Sequence, residues 1–385
     1  MDAFAGAVGV SDSDGKSTPV YAVCQPRTGV SAEYYALLVR HMALSGWVAA
    51  LATGIRERST DFRFNQFGPQ KLPTPPLGEQ QAIVKYVRQI EREVGTAIRA
   101  KDRLISLLIE QKRTQINHLV AQGVDPDVPL KESGILGLPG VPAHWEIVHL
   151  KRATSHIVDC LHATPKYVDD GGFPVIRTAD IEPGRTLHEG AYRVSYKEFR
   201  RWTSRLEPRN GDILYSREGG RFGIAAPVPP GVRLCIGQRM VVLRIKEAHS
   251  SEYMMWQLNC QHVLDQAQAD MVGSASPRVN VEQIRNYRLV VPPLSEQYEI
   301  VEFIQSRCKK FDAAIRRAER EISLLREYQT RLTADVVTGK LDVRAAAAAL
   351  PDMDSHDPDL TATYGADEAG LNTDLDGDDP TEESM

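Results

Sequence analysis

One segment of this 385-residue chain occurs twice, and the two copies lie 217 positions apart. The letters PPLGEQ at 75–80 return as PPLSEQ at 292–297, and the likeness continues through ISLL at 105–108 and at 322–325. Solenoid repeats are roughly 20 to 50 residues long, so this spacing excludes a solenoid. It predicts two large modules that each end in the same helix, and therefore a two-fold pseudosymmetry.

Both copies have the pattern of a long helix with a narrow apolar stripe. The Pro-Pro pair holds the incoming backbone extended, and Gly78 or Ser295 is predicted to cap the helix. Apolar residues then recur in alternating steps of three and four, which is heptad spacing, although Lys101, Arg307 and Glu321 interrupt it. A helix from 78 to 121 would be roughly 65 Å long. We expect the two stripes to pack on each other, and the predicted helix-pairing residues are Ile83, Val87, Ile90, Val94, Leu104, Leu108, Ile300, Ile304, Phe311, Ile315, Ile322 and Leu325.

The segments outside these helices predict an α+β fold. Strands are expected at 145–150, 173–177, 212–216, 233–236, 240–245 and 287–291, and helices at 195–202 and 251–271. Residues 31–52 and 62–75 resemble 251–271 and 279–292, so the first module matches only the latter half of the second. The predicted divisions are a partial first module at 1–76, the first long helix at 77–122, a linker at 123–141, a complete second module at 142–293, the second long helix with a closing segment at 294–344, and a tail at 345–385.

Charge is unevenly distributed along the chain. The formal net charge is −5, but residues 351–385 hold twelve acidic side chains and no Lys or Arg. The rest of the chain has 46 basic against 39 acidic side chains, a net charge of +7. A tail with low hydrophobicity and charge of one sign is predicted to be disordered. The second module is mildly basic, which permits contact with phosphate groups.

The sequence argues against a secreted, membrane-bound or catalytic protein. No basic segment precedes an apolar one at the N-terminus, and no run approaches the roughly 18 apolar residues of a membrane span, so a cytoplasmic protein is expected. The five cysteines are scattered and lack CxxC spacing, which argues against disulfides. Residues 9–17 have five rather than four residues between the glycines of a phosphate loop. His156, Cys160 and His162 lack a fourth ligand, and 376–379 lack calcium-loop spacing, so no catalytic or metal-binding residue is predicted.

Together with the repeat, three further motifs resemble the specificity subunits of type I restriction-modification enzymes over roughly residues 5–344. These motifs are GDILYSR at 211–217, IGQRM at 236–240 and TGKLD at 338–342. The resemblance implies two target-recognition domains that each read one half of a split DNA sequence. It also implies that the helices form an antiparallel coiled coil, which separates the domains and binds methyltransferase subunits. Half-sites on one face of B-DNA lie whole turns of about 34 Å apart, so this spacer would bridge about two turns.

By the same resemblance, the chain directs adenine methylation by methyltransferase subunits and cleavage by a translocating restriction subunit, and performs no chemistry itself. Adenosylmethionine, ATP and Mg are then expected on those partner subunits, and double-stranded DNA is the expected ligand of this chain. Two alternatives remain open. The partial first module would make the chain a half-subunit that acts as a homodimer, or a nonfunctional remnant. In the other alternative, the helices form an interaction scaffold without specific DNA binding.

The predicted DNA-contacting residues of the second module are basic, amide or aromatic side chains in turns and at strand ends. Arg typically reads guanine and Gln reads adenine, while other basic groups contact phosphates. Gly-rich turns let the backbone approach DNA closely, which favours 217–221 and 273–278. The candidates are Lys166, Tyr167, Arg177, Arg217, Arg221, Gln238, Arg239 and Arg278.

Overall fold

The computed structural model of the chain describes residues 6–11, 13–16, 23–51, 67–269 and 278–351. The chain forms two compact units. Unit 1 comprises residues 1–105 and 316–385, and unit 2 comprises residues 106–315. The turn at 273–277 and the acidic tail beyond 351 lie outside the described residues, so the predictions for them stay predictions.

The helices include two that are far longer than the rest. These are α3 with 46 residues and α9 with 44, or about 69 and 66 Å at 1.5 Å per residue. In the part of the chain that the structure describes, no helix is both long and apolar enough to cross a membrane. The helices are α1 (Ala32–Leu44), α2 (Trp47–Leu51), α3 (Leu77–Gln122), α4 (Leu150–Ala153), α5 (Tyr196–Trp202), α6 (Ser251–Leu258), α7 (Gln261–Ala269), α8 (Val281–Arg285), α9 (Leu294–Val337) and α10 (Arg344–Ala349).

The strands of the described residues all belong to unit 2. They are β1 (Leu130–Ile135), β2 (Leu138–Pro142), β3 (Glu146–His149), β4 (Thr154–Asp159), β5 (Tyr167–Val168), β6 (Phe173–Ile176), β7 (Ile181–Glu182), β8 (Arg185–Thr186), β9 (Arg193–Val194), β10 (Asp212–Ser216), β11 (Ala225–Pro227), β12 (Cys235–Ile236), β13 (Met240–Ile245) and β14 (Arg288–Val291). Two sheets have four strands, in the orders β11-β10-β13-β4 and β12-β6-β9-β5. The pairs β1-β2, β3-β14 and β7-β8 complete the topology. The predicted α+β class is confirmed.

The sheet that contains β10 and β13 is buried on both faces. Ile213 and Tyr215 point into one hydrophobic cluster, whereas Leu214 between them lies in a second. Side chains alternate across a strand, so a central strand covered on both sides has an unbroken apolar run. This explains why the letters ILY and MVVL signal strands so clearly. The first cluster also contains α6 and the start of α9, and it therefore seats the sheets on the helix.

Each long helix begins two residues earlier than the predicted caps allow. The helices start at Leu77 and Leu294, so Gly78 and Ser295 lie in the first turn, and the cap prediction is wrong. The carbonyls of Pro76 and Pro293 accept the first helical bonds, from Gln80 N–H at 3.1 Å and from Gln297 N–H at 3.0 Å. The second proline of each pair therefore occupies the cap position.

In unit 1, the start of α3 packs against the end of α9. Ile83, Val84 and Val87 share one buried cluster with Val336 and Val337, together with residues of α1. Further along, the Lys101 ammonium lies 2.5 Å from a Glu321 carboxylate oxygen. Two of the polar residues that interrupt the heptad stripes are therefore partners of each other. From residue 83 to residue 101 of α3, the contacting residues of α9 run in the opposite direction, from 337 to 321. The helices are therefore antiparallel in this unit.

In unit 2, the end of α3 packs against the start of α9. Val120 and Ala121 share the main cluster with Ile300, Val301 and Ile304. The Lys112 ammonium donates to Asp312 at 2.6 Å. The order of these contacts is again antiparallel.

The predicted pairing residues differ in burial. Six are buried, namely Ile83, Val87, Val94, Ile300, Ile304 and Ile322, and five are partly buried, namely Ile90, Leu108, Phe311, Ile315 and Leu325. Leu104 is 43% exposed, whereas Ile105 is partly covered. An α-helix with 3.6 residues per turn drifts relative to a strict seven-residue repeat, so the covered stripe moves by one position. The assignment of Leu104 to the pairing stripe is therefore corrected.

Two segments of unit 2 differ from the sequence prediction. The predicted linker at 123–141 contains the hairpin of β1 and β2. The predicted helix at 251–271 is two helices, because Asn259 ends α6: its Nδ2 donates to the Met255 carbonyl at 3.0 Å and to the Ala225 carbonyl at 2.8 Å. This amide also accepts from the Ala225 N–H at 3.0 Å. Asn259 therefore fastens the helix break to the sheet.

Candidate nucleic-acid interface

The predicted DNA-contacting residues lie along one edge of the two four-stranded sheets. β4, β6, β10 and β12 end at this edge and β13 begins there, because β13 is antiparallel to β4 and β10 while β12 is parallel to β6. Residues 237–239 join the sheets: Gly237 N–H donates to the Ile176 carbonyl at 2.8 Å, and Arg217 N–H donates to the Arg239 carbonyl at 3.0 Å. We call this region the recognition edge and define it as residues 159–167, 176–181, 192, 216–222, 236–240 and 278.

Arg217 follows β10 and points inward. Its side chain is 7% exposed, its Nε donates to Asp159 Oδ1 at 2.9 Å, and its Nη1 lies 3.9 Å from Glu218 Oε2. Removal of either carboxylate would leave a buried, poorly compensated charge, which is strongly destabilising. In this arrangement Arg217 holds β10 to β4, so the structure does not favour it as the leading base reader.

A second group of charged residues surrounds the turn before β13. Arg239 has a φ of 67°, the left-handed region that a non-glycine residue rarely adopts, and its Nε lies 3.8 Å from Glu218 Oε1. Glu218 also forms an isolated antiparallel bridge with Arg278, whose side chain is exposed. The backbone thus brings Arg278 beside Glu218, whose carboxylate lies near Arg239, although Arg239 and Arg278 are distant in sequence.

Arg177 follows β6 and has a defined orientation. Its Nε lies 3.2 Å from Asp180 Oδ2, which also accepts the Arg177 backbone N–H at 2.9 Å. The guanidinium carbon lies 4.2 Å from the centre of the Tyr192 ring. Tyr192 in turn contacts Tyr167, with ring centres 4.7 Å apart and an interplanar angle of 33°. Arg177 and Tyr167 are therefore parts of one stacked group.

The remaining candidates occupy the periphery of the edge. Lys166 is exposed, and Gln238 Nε2 lies 3.4 Å from Thr164 Oγ1. Arg221 Nη2 donates to the Ile181 carbonyl at 2.6 Å, which links the turn after β10 to β7. The structure thus brings all eight candidates to one edge, while their contact with DNA stays a prediction.

Cys160 is a buried thiol at this edge. Burial raises the pKa of the Cys160 thiol, and the nearby Asp159 charge acts in the same direction. The thiol is therefore neutral rather than a reactive thiolate. Across the described residues, no three His, Cys, Asp or Glu side chains form a metal-binding group.

Sequence reasoning missed the partners that orient the basic residues. Asp159, Asp180, Glu218 and Tyr192 were not among the candidates, because carboxylates oppose DNA and Tyr192 has no distinguishing local pattern. Their role depends on contacts across the sheets; Asp159 and Arg217 are 58 positions apart. Only the three-residue spacing of Arg177 and Asp180 is a local signal.

The repeated motif itself contains a second set of residues that the sequence did not explain. The Gln297 side chain is almost fully buried; its Oε1 accepts the Ser250 N–H and its Nε2 donates to the Pro292 carbonyl, both at 2.8 Å. In unit 1, Gln80 is fully buried and bonds the Ser31 N–H at 2.8 Å and the Pro75 carbonyl at 2.7 Å. The glutamine that ends the repeated motif therefore joins each module to its long helix by hydrogen bonds.

A buried tyrosine forms a matching contact in each unit. The Tyr253 hydroxyl donates to the Val120 carbonyl at 3.0 Å, and the Tyr34 hydroxyl donates to the Val337 carbonyl at 3.4 Å. Val120 and Val337 are equivalent in the 217-residue repeat. Taken one at a time, the units thus repeat the same local arrangement, in which a module contacts the start of one long helix and the end of the other.

Comparison with known proteins finds similarity to one family. Residues 157–322 match the family model described as the type I restriction modification DNA specificity domain. Over 284 residues, the chain is 22% identical to the type I restriction enzyme MjaVIII specificity subunit of Methanocaldococcus jannaschii. Both matches make the chain similar to the type I restriction-modification specificity subunits. The alignment covers 71% of this chain and 63% of the M. jannaschii protein, so the chain spans less than two thirds of that relative's length.

A solved structure has a fold similar to that of this chain. A chain from a study of complex assembly and conformational transition in the type I R-M system has a TM-score of 0.57 and 18% sequence identity, and the match covers 80% of this chain and 72% of that chain. The region that matches the family model begins in β4 and ends within α9. It therefore includes all eight predicted DNA-contacting residues.

Proposed function

We propose that this chain recognises a DNA sequence through the recognition edge of unit 2, as the specificity subunit of a type I restriction-modification complex. The observation that carries the proposal is the convergence of the eight predicted side chains, from 166 to 278 in sequence, on one edge where five strands begin or end. Carboxylates and a tyrosine orient several of these side chains. Base reading needs donors in fixed positions, and phosphate contact needs mobile positive charge. The edge offers both, because some of its basic side chains are held by carboxylates and others are exposed.

The chain itself performs no chemistry in this proposal. Methyltransferase subunits bind adenosylmethionine and methylate adenine, and a restriction subunit uses ATP and Mg to translocate and cleave DNA. The paired helices α3 and α9 provide the surface for the methyltransferase subunits. The name of the relative supports this assignment, although the chain spans only part of that protein. Separation of two half-sites by the helices stays a prediction from the sequence.

Selection from a pool of random duplex DNA tests the proposal directly. The full chain is expected to enrich one base pattern in the presence of excess nonspecific competitor, because base contacts survive competition that removes phosphate contacts. Failure of the wild-type chain to enrich any pattern would contradict DNA recognition and favour the scaffold alternative.

A matched pair of variants locates the interface. Lys166→Ala combined with Arg278→Ala removes two exposed cations at the recognition edge. Arg209→Ala combined with Lys246→Ala removes two exposed cations beyond the opposite ends of β10 and β13. We expect the first pair to lower affinity for all duplexes by about tenfold and to reduce the slope of log K against log salt by about 2, since each phosphate contact contributes about one unit. The second pair is expected to change neither quantity, and equal effects of the two pairs would place the interface elsewhere.

A further inference from the structure

The group of Arg177, Tyr192 and Tyr167 is both oriented by its own contacts and exposed at the recognition edge. Arg177 is 37% exposed on its side chain, and Tyr192 and Tyr167 are 53% and 40% exposed. The group therefore combines a guanidinium that can reach a ligand with aromatic rings that limit its motion.

The contacts of Arg177 select which of its atoms face outward. Asp180 occupies the Nε position, and the Tyr192 ring covers one face of the guanidinium plane. Among the described residues, Nη1 and Nη2 make no hydrogen bond. The free edge of the fork therefore carries two parallel N–H groups, which match a pair of acceptors a short distance apart.

Two ligands in duplex DNA present such a pair of acceptors: the O6 and N7 atoms of guanine in the major groove, and the oxygens of a phosphate. The Asp180 carboxylate lies against the guanidinium and offsets its positive charge, which weakens the attraction to a phosphate. It does not weaken the geometric match to a neutral base edge. The fixed plane of the Arg177 guanidinium and its reduced charge therefore favour guanine over phosphate as its ligand.

We propose that Arg177 reads one guanine of the target sequence, and that Asp180, Tyr192 and Gly237 are the positioning residues that hold its fork. Gly237 has this role because a Cβ at that position would lie 2.9 Å from Arg177 Cγ, too close for the side chain to stay in place. Arg217 has a lower rank as a reader, since Asp159 and Glu218 enclose it. This inference rests on the proposed DNA recognition and adds the residue and the base.

The test is selection from random duplex DNA with the full chain and five variants, scored position by position. Arg177→Ala is expected to lose the preference for guanine at one position by about tenfold or more, since a bidentate pair discriminates by about that factor. Preferences at all other positions and affinity for nonspecific DNA should remain within about twofold. Tyr192→Phe keeps the ring and should behave as wild type, whereas Tyr192→Ala should lose most of the same single preference.

A pair of glycine variants provides a control for misfolding. Gly237→Ala is expected to reproduce the loss at that one position, whereas Gly220→Ala, which has no atom within 4 Å of the added Cβ, should leave it intact. If Arg177→Ala weakens binding equally for every sequence, the residue contacts a phosphate and the inference is wrong. If Arg177→Ala leaves the pattern of the wild-type chain unchanged, the inference is wrong while DNA recognition stands. If the wild-type chain enriches no pattern, the proposed function itself fails.

Discussion

At the scale of single residues, pairing with carboxylates divides the basic residues of the recognition edge into two kinds. Arg177 and Arg217 each have a carboxylate on Nε, within 3.2 Å, and are held in place. Lys166 and Arg278 are exposed cations on the same edge. A held arginine has lost side-chain freedom before any ligand binds, so less entropy is lost on binding, whereas an exposed cation acts over a longer range. The two kinds therefore suit base reading and phosphate attraction respectively.

His262 makes the stability of unit 2 depend on pH. Burial lowers the pKa of this imidazole from its ordinary value of 6.5 to about 4, and the Asp265 charge acts in the opposite direction. Its Nε2–H donates to Gln257 Oε1 at 3.2 Å, and Gln257 also donates to the Val120 carbonyl at 3.1 Å. The folded pKa lies below the unfolded pKa, so the unfolded state binds the proton first as pH falls. Stability is complete above about pH 6.5 and decreases between pH 6.5 and 4, by about 2 kcal/mol at pH 5.

Denaturant unfolding at pH 7.5 and at pH 5 measures this dependence. His262→Gln should remove about 2 kcal/mol of the difference between the two pH values, whatever its effect at pH 7.5. His118→Gln, on the exposed side of α3, should preserve the difference. Equal pH dependence in wild type and His262→Gln would show that His262 is not the group that titrates.

At the scale of elements, the buried glutamine of the repeat joins the first helix of a module to the entrance of a long helix. Gln297 hydrogen-bonds Ser250, the cap residue of α6, and Pro292, the first proline of the pair before α9. Gln297→Ala would leave a buried N–H and a buried carbonyl without partners, at about 1–3 kcal/mol each, so we expect unit 2 to lose about 2–4 kcal/mol of stability. Gln80→Ala should have a similar effect on unit 1, since Gln80 makes the same two bonds there. Hydrogen exchange at α6 and α1 measures the two losses separately.

The matched control for this prediction is Gln305→Ala. Gln305 lies on the same helix as Gln297 but is exposed and bonds the Glu252 carboxylate at 3.1 Å. Its replacement should cost little, because water can satisfy an exposed carboxylate. If Gln297→Ala were as mild as Gln305→Ala, the repeated glutamine would have no role in joining the elements.

The sequence predicted most elements of unit 2 because their signals are local. The buried strand β10 has an apolar run, and the long helices have a heptad stripe that persists over many turns. The hairpin of β1 and β2 was missed because GILGLPG at 134–140 has the composition of a linker. The break at Asn259 was missed because the bonds that stabilise it reach Ala225, 34 positions away. Contacts between distant segments decided the elements that local patterns did not predict.

At the scale of the whole molecule, the sequence predicted the candidates for the recognition edge but not their ranking. Gly-rich turns and strand ends selected eight side chains that the fold brings to one edge, because such positions come together wherever strands of one sheet end, while their contact with DNA stays a prediction. It could not show that Arg217 is enclosed or that Arg177 is held by Tyr192, since both outcomes depend on pairs of segments that meet only in the fold. Which charged side chains are buried is therefore the property of the site that the sequence was least able to predict.

The division into two units predicts that equivalent substitutions destabilise different parts of the molecule. Val120 and Val337 are equivalent in the repeat, are almost fully buried, and accept the tyrosine bonds of unit 2 and unit 1 respectively. An aspartate at either position would bury an unpaired charge, so we expect a local loss of about 3 kcal/mol or more. Val337→Asp should increase hydrogen exchange in α1 and leave α6 protected, and Val120→Asp should do the reverse. Thr338→Asp and His118→Asp, at exposed neighbouring positions, should change neither helix. Loss of protection in both helices with either buried substitution would show that the two units unfold as one, which the separate cores of Tyr34 and Tyr253 argue against.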